Sequence, residues 1–469
     1  MIGFNGPTGK LCDRISRREV LRLGAIAPLG LSLPQVLRAE EAAKVLGRGA
    51  GKAKSIVMFY LMGGQGQLDT WDMRPDAPEG IRGEFRPIAT KVPGTFICEH
   101  MPKLAQRTDK YAIIRSMNHT ATNHNPGAYF ALTGEKPRFD ANGLFATAAD
   151  WPNPGAIIAK FAPGSRANIP PFVQLSAPVC GDNSGHMPGP TAGFLRAQYE
   201  PLKIIDDPNQ RDFAVSELAL PDDVSAARMN KRRHLLGTID AQLGRLGDGL
   251  GDRLDTFQQR AYGLVTSTAA RNAFNIQEEA DSLRARYGRH PHGQRLLLAR
   301  RLVEAGVRFV SVIWGGLLNS PDDYWDTHTD GFQKQKDHLL PKFDACLSTF
   351  LDDLEQRGLL ESTLVVVMGE FGRTPKVGHI TVNADTDSQG RDHWPFCYSI
   401  VLAGGGVRGG SVLGKGDRYT AFPAADPYTP GDLNATMYHA LGLDPGTEMH
   451  DTLQRPIPIS RGNPILGLF

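Results

Sequence analysis

Six short apolar runs, separated by longer polar segments, constrain the fold of this chain more than any other feature. Within each run the apolar residues follow one another with almost no alternation, which is typical of strands buried on both faces of a parallel sheet. Gly63 and Gly64 end the first run. We predict strands over residues 55–62, 111–116, 170–175, 308–314, 363–368 and 398–403.

Helical patterns fill the segments between these runs. In residues 342–357 apolar side chains recur at three- and four-residue steps, and Gly358 follows where a helix cap is expected. Residues from about 222 to 305 are rich in Leu, Ala, Arg and Glu at helical spacing and predict a helical insertion. Strands that alternate with helices predict an α/β fold. We expect a mainly parallel central sheet with helices on both faces, in a single domain over residues 55–469.

The composition excludes several functional classes. A chain of 469 residues with 41% apolar and 22% charged residues can form a sizeable core. Its formal charge of +2 and the lack of a basic run with interleaved aromatic residues exclude a nucleic-acid partner. The five cysteines contain no Cys-x-x-Cys pair, which excludes zinc-ribbon and thiol-redox motifs. Their spacing leaves disulfide pairing open.

Residues 1–39 have the features of an export signal rather than of a folded segment. Arg17 and Arg18 precede a modest apolar stretch, residues 23–31, which contains glycine and proline and is too short to span a bilayer. This pattern resembles a bacterial twin-arginine signal. It predicts recognition by the twin-arginine export machinery, a linker over residues 40–54, and a periplasmic or extracellular location. No later segment is apolar enough for a transmembrane helix, so we expect a protein that is not integral to the membrane.

Polar clusters accompany the last three predicted strands. Functional groups in α/β sheets gather outside the carboxyl ends of the strands, so these clusters are candidates for one site. Carboxylates and imidazoles from separate loops bind divalent metals, and arginines can hold an anion through paired hydrogen bonds. The alternative interpretation is structural, because Asp-x-His pairs often form turns and Glu370 could pair with Arg373. The residues concerned are Asp326, His328, Glu370, Arg373, Arg391, Asp392 and His393.

The first two predicted strands are followed by further candidates. Glycine-rich residues 63–72 follow the first strand and contain Asp69, but they lack the lysine and the spacing of phosphate-binding loops. Residues 118–127 follow the second strand and precede a predicted helix over residues 128–133. The N-terminus of that helix favours an anion or a nucleophile, and His124 is the side chain best placed to meet it.

The motifs GGxxQLDTWD, SMNHTATNHNPGAYFALTG, WDTH, GEFGRTP and GRDHW, together with the twin-arginine leader, resemble the DUF1501 family. The resemblance covers nearly the whole chain after the leader. That family is uncharacterised in function, so the resemblance by itself implies no reaction.

A more distant resemblance is to the alkaline phosphatase and sulfatase superfamily. Residues 343–368 are similar to the stretch that precedes the superfamily's metal site, and a Leu-Thr-Gly after residue 131 echoes the segment that follows its nucleophile. The resemblance implies a sulfatase-like fold with a helical insertion. Positions that resemble its metal ligands hold Asp326, His328, Glu370 and His393, and the position of its nucleophile holds His124.

This resemblance, with the clustering of polar motifs, predicts a metal-dependent hydrolase of phosphate or sulfate esters. Two metal positions are expected, with Zn, Ca, Mg and Mn all left open as the divalent ion. The metal would lower the pKa of a bound water to about 7 and polarise the ester oxygen. The predicted ligands are Asp326, His328 and His393 for one metal, and Glu370 with Asp69 for the second.

The remaining predicted roles concern the substrate. His124 would act as a general base or transient nucleophile, and Arg373 or Arg391 would bind the anion. An anionic ester or a sulfated polysaccharide is the expected partner. The alternative is a non-catalytic protein of the same fold that binds such a ligand or serves the cell envelope, because the superfamily's nucleophile is replaced here.

Overall fold

The computed structural model describes residues 51–141, 143–164, 169–175, 187–215, 267–315, 323–382 and 385–469, with the single positions 228, 231 and 235. The predicted leader and most of the predicted helical insertion before residue 267 lie outside the described residues.

Strands in the described residues form one eight-stranded sheet and four two-stranded sheets. They are β1 (Ser55–Leu61), β2 (Pro87–Ala89), β3 (Phe96–Cys98), β4 (Tyr111–Met117), β5 (Phe172–Leu175), β6 (Leu202–Ile204), β7 (Phe309–Trp314), β8 (Thr363–Met368), β9 (Gly372–Arg373), β10 (His393–Trp394), β11 (Tyr398–Ala403), β12 (Val412–Leu413), β13 (Lys415–Gly416), β14 (Pro423–Ala425), β15 (Glu448–His450) and β16 (Pro456–Pro458).

The α-helices range from a single turn to seventeen residues. They are α1 (Glu79–Arg82), α2 (Pro102–Ala105), α3 (His124–Thr133), α4 (Pro154–Phe161), α5 (Thr268–Phe274), α6 (Asp281–Tyr287), α7 (Pro291–Ala305), α8 (Gly331–Lys334), α9 (Leu340–Gln356) and α10 (Pro430–Ala440). A π-helical segment, Gln335–Leu339, joins α8 to α9.

The eight-stranded sheet has the strand order β12-β4-β11-β8-β1-β7-β5-β6. β1 pairs in parallel with β7 and β8, and parallel pairing continues through β5 to β6. β11 is the exception, because it runs antiparallel to both of its neighbours, β4 and β8. The beginning of β11 therefore lies at the same edge of the sheet as the ends of the parallel strands.

Helices cover both faces of this sheet. Alternate residues of β1 point to opposite sides, so Phe59 belongs to one core and Met58 to the other. The core around Phe59 includes side chains of α2, α5, α6, α7 and α9, and the core around Met58 includes side chains of α3, α4 and α10. A sheet covered in this way has strands buried on both faces, which explains why its strands are apolar throughout.

This architecture confirms the predicted fold class. Each of the six predicted strands is present, with ends within two residues of the prediction. The amphipathic helix predicted over residues 342–357 is α9, and Gly358 has the left-handed φ of +66° that the predicted cap requires. The helix predicted over residues 128–133 is α3, which begins four residues earlier and makes His124 its first residue.

The described end of the predicted insertion, residues 267–305, is helical but belongs to the layer that covers the sheet. Helix α7 packs on β7 and β1, and its Leu296, Leu298 and Leu302 are fully buried. The 15-residue helix and the strand that follows it thus form an ordinary helix-to-strand unit of the α/β fold.

Three cysteines in the described residues, Cys98, Cys346 and Cys397, are buried free thiols. Burial raises the pKa of each thiol, to about 12 for Cys397, so these side chains pack as small apolar groups. Cys12 and Cys180 lie outside the described residues. Within the described part of the chain, none of the helices is both long enough and apolar enough to cross a membrane.

Candidate metal centre

Five loops bring polar side chains to the edge of the sheet at which the parallel strands end. Four of these loops follow strands of the sheet, and the fifth precedes the antiparallel strand β11. The reversed direction of β11 is the reason that a motif before a strand meets motifs after strands. In chain order the loops contribute Gly63, His124, Asp326 with His328, Glu370, and His393.

The loop after β1 makes room for the loop after β7. Gly63 has a φ of +108°, and a Cβ atom at this position would lie 2.2 Å from the backbone nitrogen of Asp326. The carbonyl of Met62 accepts a hydrogen bond of 3.0 Å from the N–H of Trp325. Only glycine permits both this backbone conformation and this close approach.

Four side chains converge on one point. Oδ1 of Asp326 lies 2.8 Å from Nε2 of His328 and 3.3 Å from Nε2 of His393, and Oδ2 lies 3.1 Å from Nε2 of His124. The two Nε2 atoms of His328 and His393 are themselves 3.0 Å apart. The ligand atoms of the four residues all lie within 4.8 Å of one another, so they could hold one metal ion.

The other ring nitrogen of each histidine is held by an oxygen atom. Nδ1 of His124 donates to Oε1 of Glu370 at 2.7 Å, and Nδ1 of His393 donates to the carbonyl of Thr122 at 2.8 Å. Nδ1 of His328 lies 2.9 Å from the hydroxyl of Thr386. Since carboxylate and carbonyl oxygens only accept, a neutral ring of His124 or His393 has its lone pair on Nε2, as a metal ligand requires.

The cluster is open on one side. The side chains of His328 and His393 are 7% and 5% exposed, whereas those of Asp326 and His124 are 30% and 27% exposed. A small molecule or water can therefore approach the cluster from the side of Asp326 and His124. Sites that bind a reactant need such an open position.

The electrostatics at the open side of the cluster favour the protonated, positively charged form of His124. Burial lowers the pKa of His124, but the carboxylates of Asp326 and Glu370 outweigh burial and raise it to about 10. Burial raises the pKa of Asp326, but the positive charges of His124 and Arg373 outweigh it and hold this pKa well below its ordinary value. Without a metal ion, a protonated His124 balances the carboxylates.

His393 behaves in the opposite way. Burial lowers its pKa to about 4, and the positive charge of His124 acts in the same direction. A neutral His393 is therefore present at any physiological pH. This is the form in which imidazole binds a metal.

Glu370 is a partner of His124. Its Oε1 accepts the N–H of Gly63 at 2.9 Å as well as the Nδ1–H of His124, and its side chain is only 2% exposed. Its backbone carbonyl accepts the Nε2–H of His119, whose pKa burial lowers to about 4. Glu370 thus contacts the candidate ligand His124 but is not one of the four candidate ligands itself.

The predicted second metal pair, Glu370 with Asp69, is not brought together. The carboxylate of Asp69 pairs instead with Arg391, with contacts of 2.9 Å from Nε and 3.0 Å from Nη2. Both side chains are 2% exposed. In the structure Asp69 is thus the partner of a buried guanidinium, and its role as a metal ligand stays a prediction.

Arg391 and Arg373 are also engaged with groups of the protein itself. The remaining N–H groups of Arg391 donate to the carbonyls of Ile81, Thr374 and Pro375. Arg373 is fully buried, donates to the carbonyls of Gly63, Gly64, Trp325 and Arg391, and contacts Oδ1 of Asp326 at 2.5 Å. The two guanidinium groups join the loops of the site to one another, and their contact with an anion stays a prediction.

Sequence reasoning missed the groups that orient the histidines. The carbonyl of Thr122 carries no side-chain signal, and Thr386 lies in a polar loop without a recognisable pattern. Asp392, which offered an oxygen ligand in the sequence, is fully buried and accepts the N–H groups of Thr381, Val382 and His393. Only its place beside His393 in GRDHW could have indicated this role.

Solved structures of several hydrolases and of one synthase overlay loosely on this chain. A lipoteichoic acid synthase from Listeria monocytogenes is 12% identical, with 91% of this chain and 81% of that chain covered and a TM-score of 0.40. A sulfatase from Pseudoalteromonas sp. is 12% identical (86% and 72% covered, TM-score 0.37). A phosphonate monoester hydrolase of Agrobacterium radiobacter is also 12% identical (88% and 76% covered, TM-score 0.36). Overlays this loose support no conclusion about activity.

Among curated proteins, none matches this sequence. A family model does match, over residues 53–469, and its description is "Protein of unknown function (DUF1501)". The matched region contains all five loops of the candidate metal centre. The chain therefore belongs to the DUF1501 family.

Proposed function

We propose that this protein is a metal-dependent hydrolase whose single metal centre is formed by Asp326, His328 and His393. The observation that carries the proposal is the convergence of three Nε2 atoms on one carboxylate, while an oxygen atom contacts each Nδ1. Imidazoles that are oriented in this way are characteristic of metal ligands.

The donor set narrows the choice of ion. Two imidazole nitrogens and one carboxylate suit zinc or another first-row transition metal such as manganese. Calcium and magnesium prefer all-oxygen sites, so these donors do not fit them. A bound ion of this kind would bring the pKa of a water molecule to about 7 and polarise an ester oxygen.

His124 is the proposed general base. Its side chain is 27% exposed, its Nε2 lies 3.1 Å from Oδ2 of Asp326, and its Nδ1–H is held by the buried carboxylate of Glu370. A neutral His124 accepts a proton from the attacking water at Nε2, and Glu370 stabilises the imidazolium that forms. A dication beside His124 lowers the pKa of this ring from the high value of the metal-free site, which supplies the neutral form.

The proposed substrates are phosphate or sulfate esters, including those of polysaccharides, a class that follows from the sequence resemblance. In the reaction, water supplies the new oxygen on phosphorus or sulfur, and the bond to the alcohol oxygen breaks. The proton taken up by His124 passes to that alcohol as it leaves. With both arginines engaged in the fold, the metal and the N-terminus of helix α3 are the groups that meet the anion.

Metal content and turnover of matched variants test this proposal. We expect His393→Ala to lose both the metal and hydrolysis of aryl sulfates and phosphate esters. His124→Ala keeps the metal but loses about 10²–10⁴-fold in kcat, the usual contribution of a general base. The kcat of Glu370→Gln is expected to fall between that of His124→Ala and that of the unmodified protein. His450→Ala, at an exposed histidine outside the cluster, is the control. An unmodified protein without bound metal, or a His393→Ala variant with full turnover, refutes the proposal.

A second candidate function is supported by the same geometry. Four protein ligands form the closed coordination of structural zinc sites, and His124 lies close enough to be the fourth. A non-catalytic binding or cell-envelope protein would use the metal in this way. In that case His124→Ala lowers metal content as much as His393→Ala does, and no ester is turned over.

We also propose that the protein is exported by the twin-arginine pathway to the periplasm or the extracellular space. The support is the Arg17-Arg18 pair ahead of a short apolar stretch in the leader. This pathway transports folded proteins, so a metal bound before export would reach the same compartment.

A further inference from the structure

A carboxylate outside the cluster contacts the peptide on which two of its histidines depend. Oδ2 of Asp140 accepts the backbone N–H of Thr122 at 2.8 Å and its hydroxyl at 2.7 Å. Oδ1 accepts the backbone N–H and the side-chain amide of Asn123, both at 3.0 Å. Partial burial raises the pKa of Asp140, but these hydrogen bonds outweigh it and lower the pKa, so the side chain is a carboxylate at neutral pH.

The first consequence concerns His393. The carbonyl of Thr122 and the N–H of Asn123 belong to one peptide unit, which is planar and rigid. Asp140 binds the N–H end of this unit, and the carbonyl end accepts the Nδ1–H of His393 at 2.8 Å. The orientation of the carbonyl is therefore fixed by Asp140, and each hydrogen bond polarises the peptide in favour of the other.

The second consequence concerns His124. Asn123 precedes helix α3 as its N-cap residue, and His124 is the first residue of that helix. The side chain of Asn123 makes no capping hydrogen bond to the helix and is bound by Asp140 instead. The direction in which α3 leaves the loop, and with it the position of the His124 ring, depends on this contact.

We propose that Asp140 is a positioning residue that sets the Nε2 atoms of His393 and His124 through the peptide between Thr122 and Asn123. The hydrogen bonds of Asp140 described above go to Thr122 and Asn123, so it acts on the candidate ligands through these two residues. The inference rests on the proposed metal centre, because its effect is on the geometry of that centre.

Binding of Co²⁺ to the purified full chain tests the proposal. Asp140→Ala is expected to weaken Co²⁺ affinity about tenfold, the lower end of the range for groups that orient metal ligands, and to change the visible absorption of the bound ion. Asp140→Asn, which retains one acceptor oxygen, is expected to give an intermediate loss. Asp451→Ala is the matched control, because Asp451 also accepts loop N–H groups, those of Leu453 and Arg455, in a loop that carries none of the candidate ligands. A Co²⁺ affinity and spectrum for Asp140→Ala equal to those of the control overturn the proposal.

A second measurement separates this inference from the proposed function. In metal-free protein with ¹⁵N-labelled histidine, the Nδ1–H signal of His393 is expected to be protected from exchange, and His393→Ala assigns it. Asp140→Ala is expected to shift or lose this signal, and Asp451→Ala to keep it. An unchanged signal in Asp140→Ala overturns the positioning role even if the protein binds no metal. Protection that depends on Asp140 in a protein that binds no Co²⁺ supports the positioning role and contradicts only the metal centre.

Discussion

Asp326 is the residue on which the candidate site depends most. Its carboxylate contacts three histidines and Arg373 at once, and its pKa stays low because of the positive charges around it. A partly buried carboxylate with so many partners needs a compensating positive charge. In the metal-free protein His124 supplies that charge as a proton on its ring, and a metal ion would replace it.

The pH dependence of the stability of the metal-free protein follows from the proton that His124 carries. The pKa of His124 in the folded, metal-free protein is about 10, above the ordinary value of 6.5. The protonated ring therefore stabilises the fold fully below pH 6.5, and this contribution is lost as the pH rises towards 10. We expect the melting temperature of metal-free protein to fall across this interval by calorimetry, and a His124→Gln variant to show a smaller fall. A flat profile for the unmodified protein contradicts the charge assignment.

At the scale of elements, the loops of the site depend on close backbone approaches between them. The loop after β1 passes so near the loop after β7 that Gly63 has no room for a side chain. The short antiparallel pair of β9 and β10 places His393 opposite Arg373, which in turn contacts Asp326. The positions of the metal-facing groups are thus set by strands and their turns rather than by long flexible segments.

A substitution at Gly63 tests this dependence. Gly63→Ala places a Cβ against the backbone of Asp326, and we expect it to destabilise the protein by roughly 2–4 kcal/mol and to abolish metal binding. Gly94→Ala is the matched control, because Gly94 also has a positive φ, +82°, but nothing lies within 4 Å of its added Cβ. Gly94→Ala is expected to lose only the stability that backbone strain costs, about 1–2 kcal/mol, and to bind the metal as the unmodified protein does. Equal effects of the two substitutions in chemical denaturation would falsify the close-approach argument.

Helices and strands were easier to predict from the sequence than the side-chain pairs that connect them. Unbroken apolar runs determine buried strands, and the six predicted strands and helix α9 are all present. Strand-end polarity likewise pointed to His124, Asp326, His328 and His393. The pairing of Asp69 with Arg391 was not predictable, because it joins residues 322 positions apart through a loop geometry that has no local signature.

At the scale of the whole molecule, the family match covers the chain after the predicted leader, which lies outside the described residues. The family model matches residues 53–469, and the described structure begins at residue 51. The family match thus begins within the predicted linker, residues 40–54. The proposed role of the leader is to direct the protein to its compartment.

Substitution in the leader tests the proposed export. Replacing both Arg17 and Arg18 by lysine is expected to leave the protein in the cytoplasm of its bacterial host, since the paired arginines are the recognised feature of the signal. Arg22→Lys, in the same leader, is the control and is expected to be exported. Cell fractionation with immunodetection measures the outcome. Export of the double variant at the control's level would show that another signal directs the protein.

The reversed strand β11 also determines when the site can form during synthesis. β4, which leads to His124, lies between β12 and β11, and β11 connects it to the parallel strands, with Met117 paired to Tyr398 and Val367 to Val401. A ribosome has therefore translated almost the entire chain before His124 can reach Asp326. A partly synthesised chain would have some of the proposed ligands but not the cluster, so capture of the proposed metal ion would follow the pairing of β11 with β4 and β8.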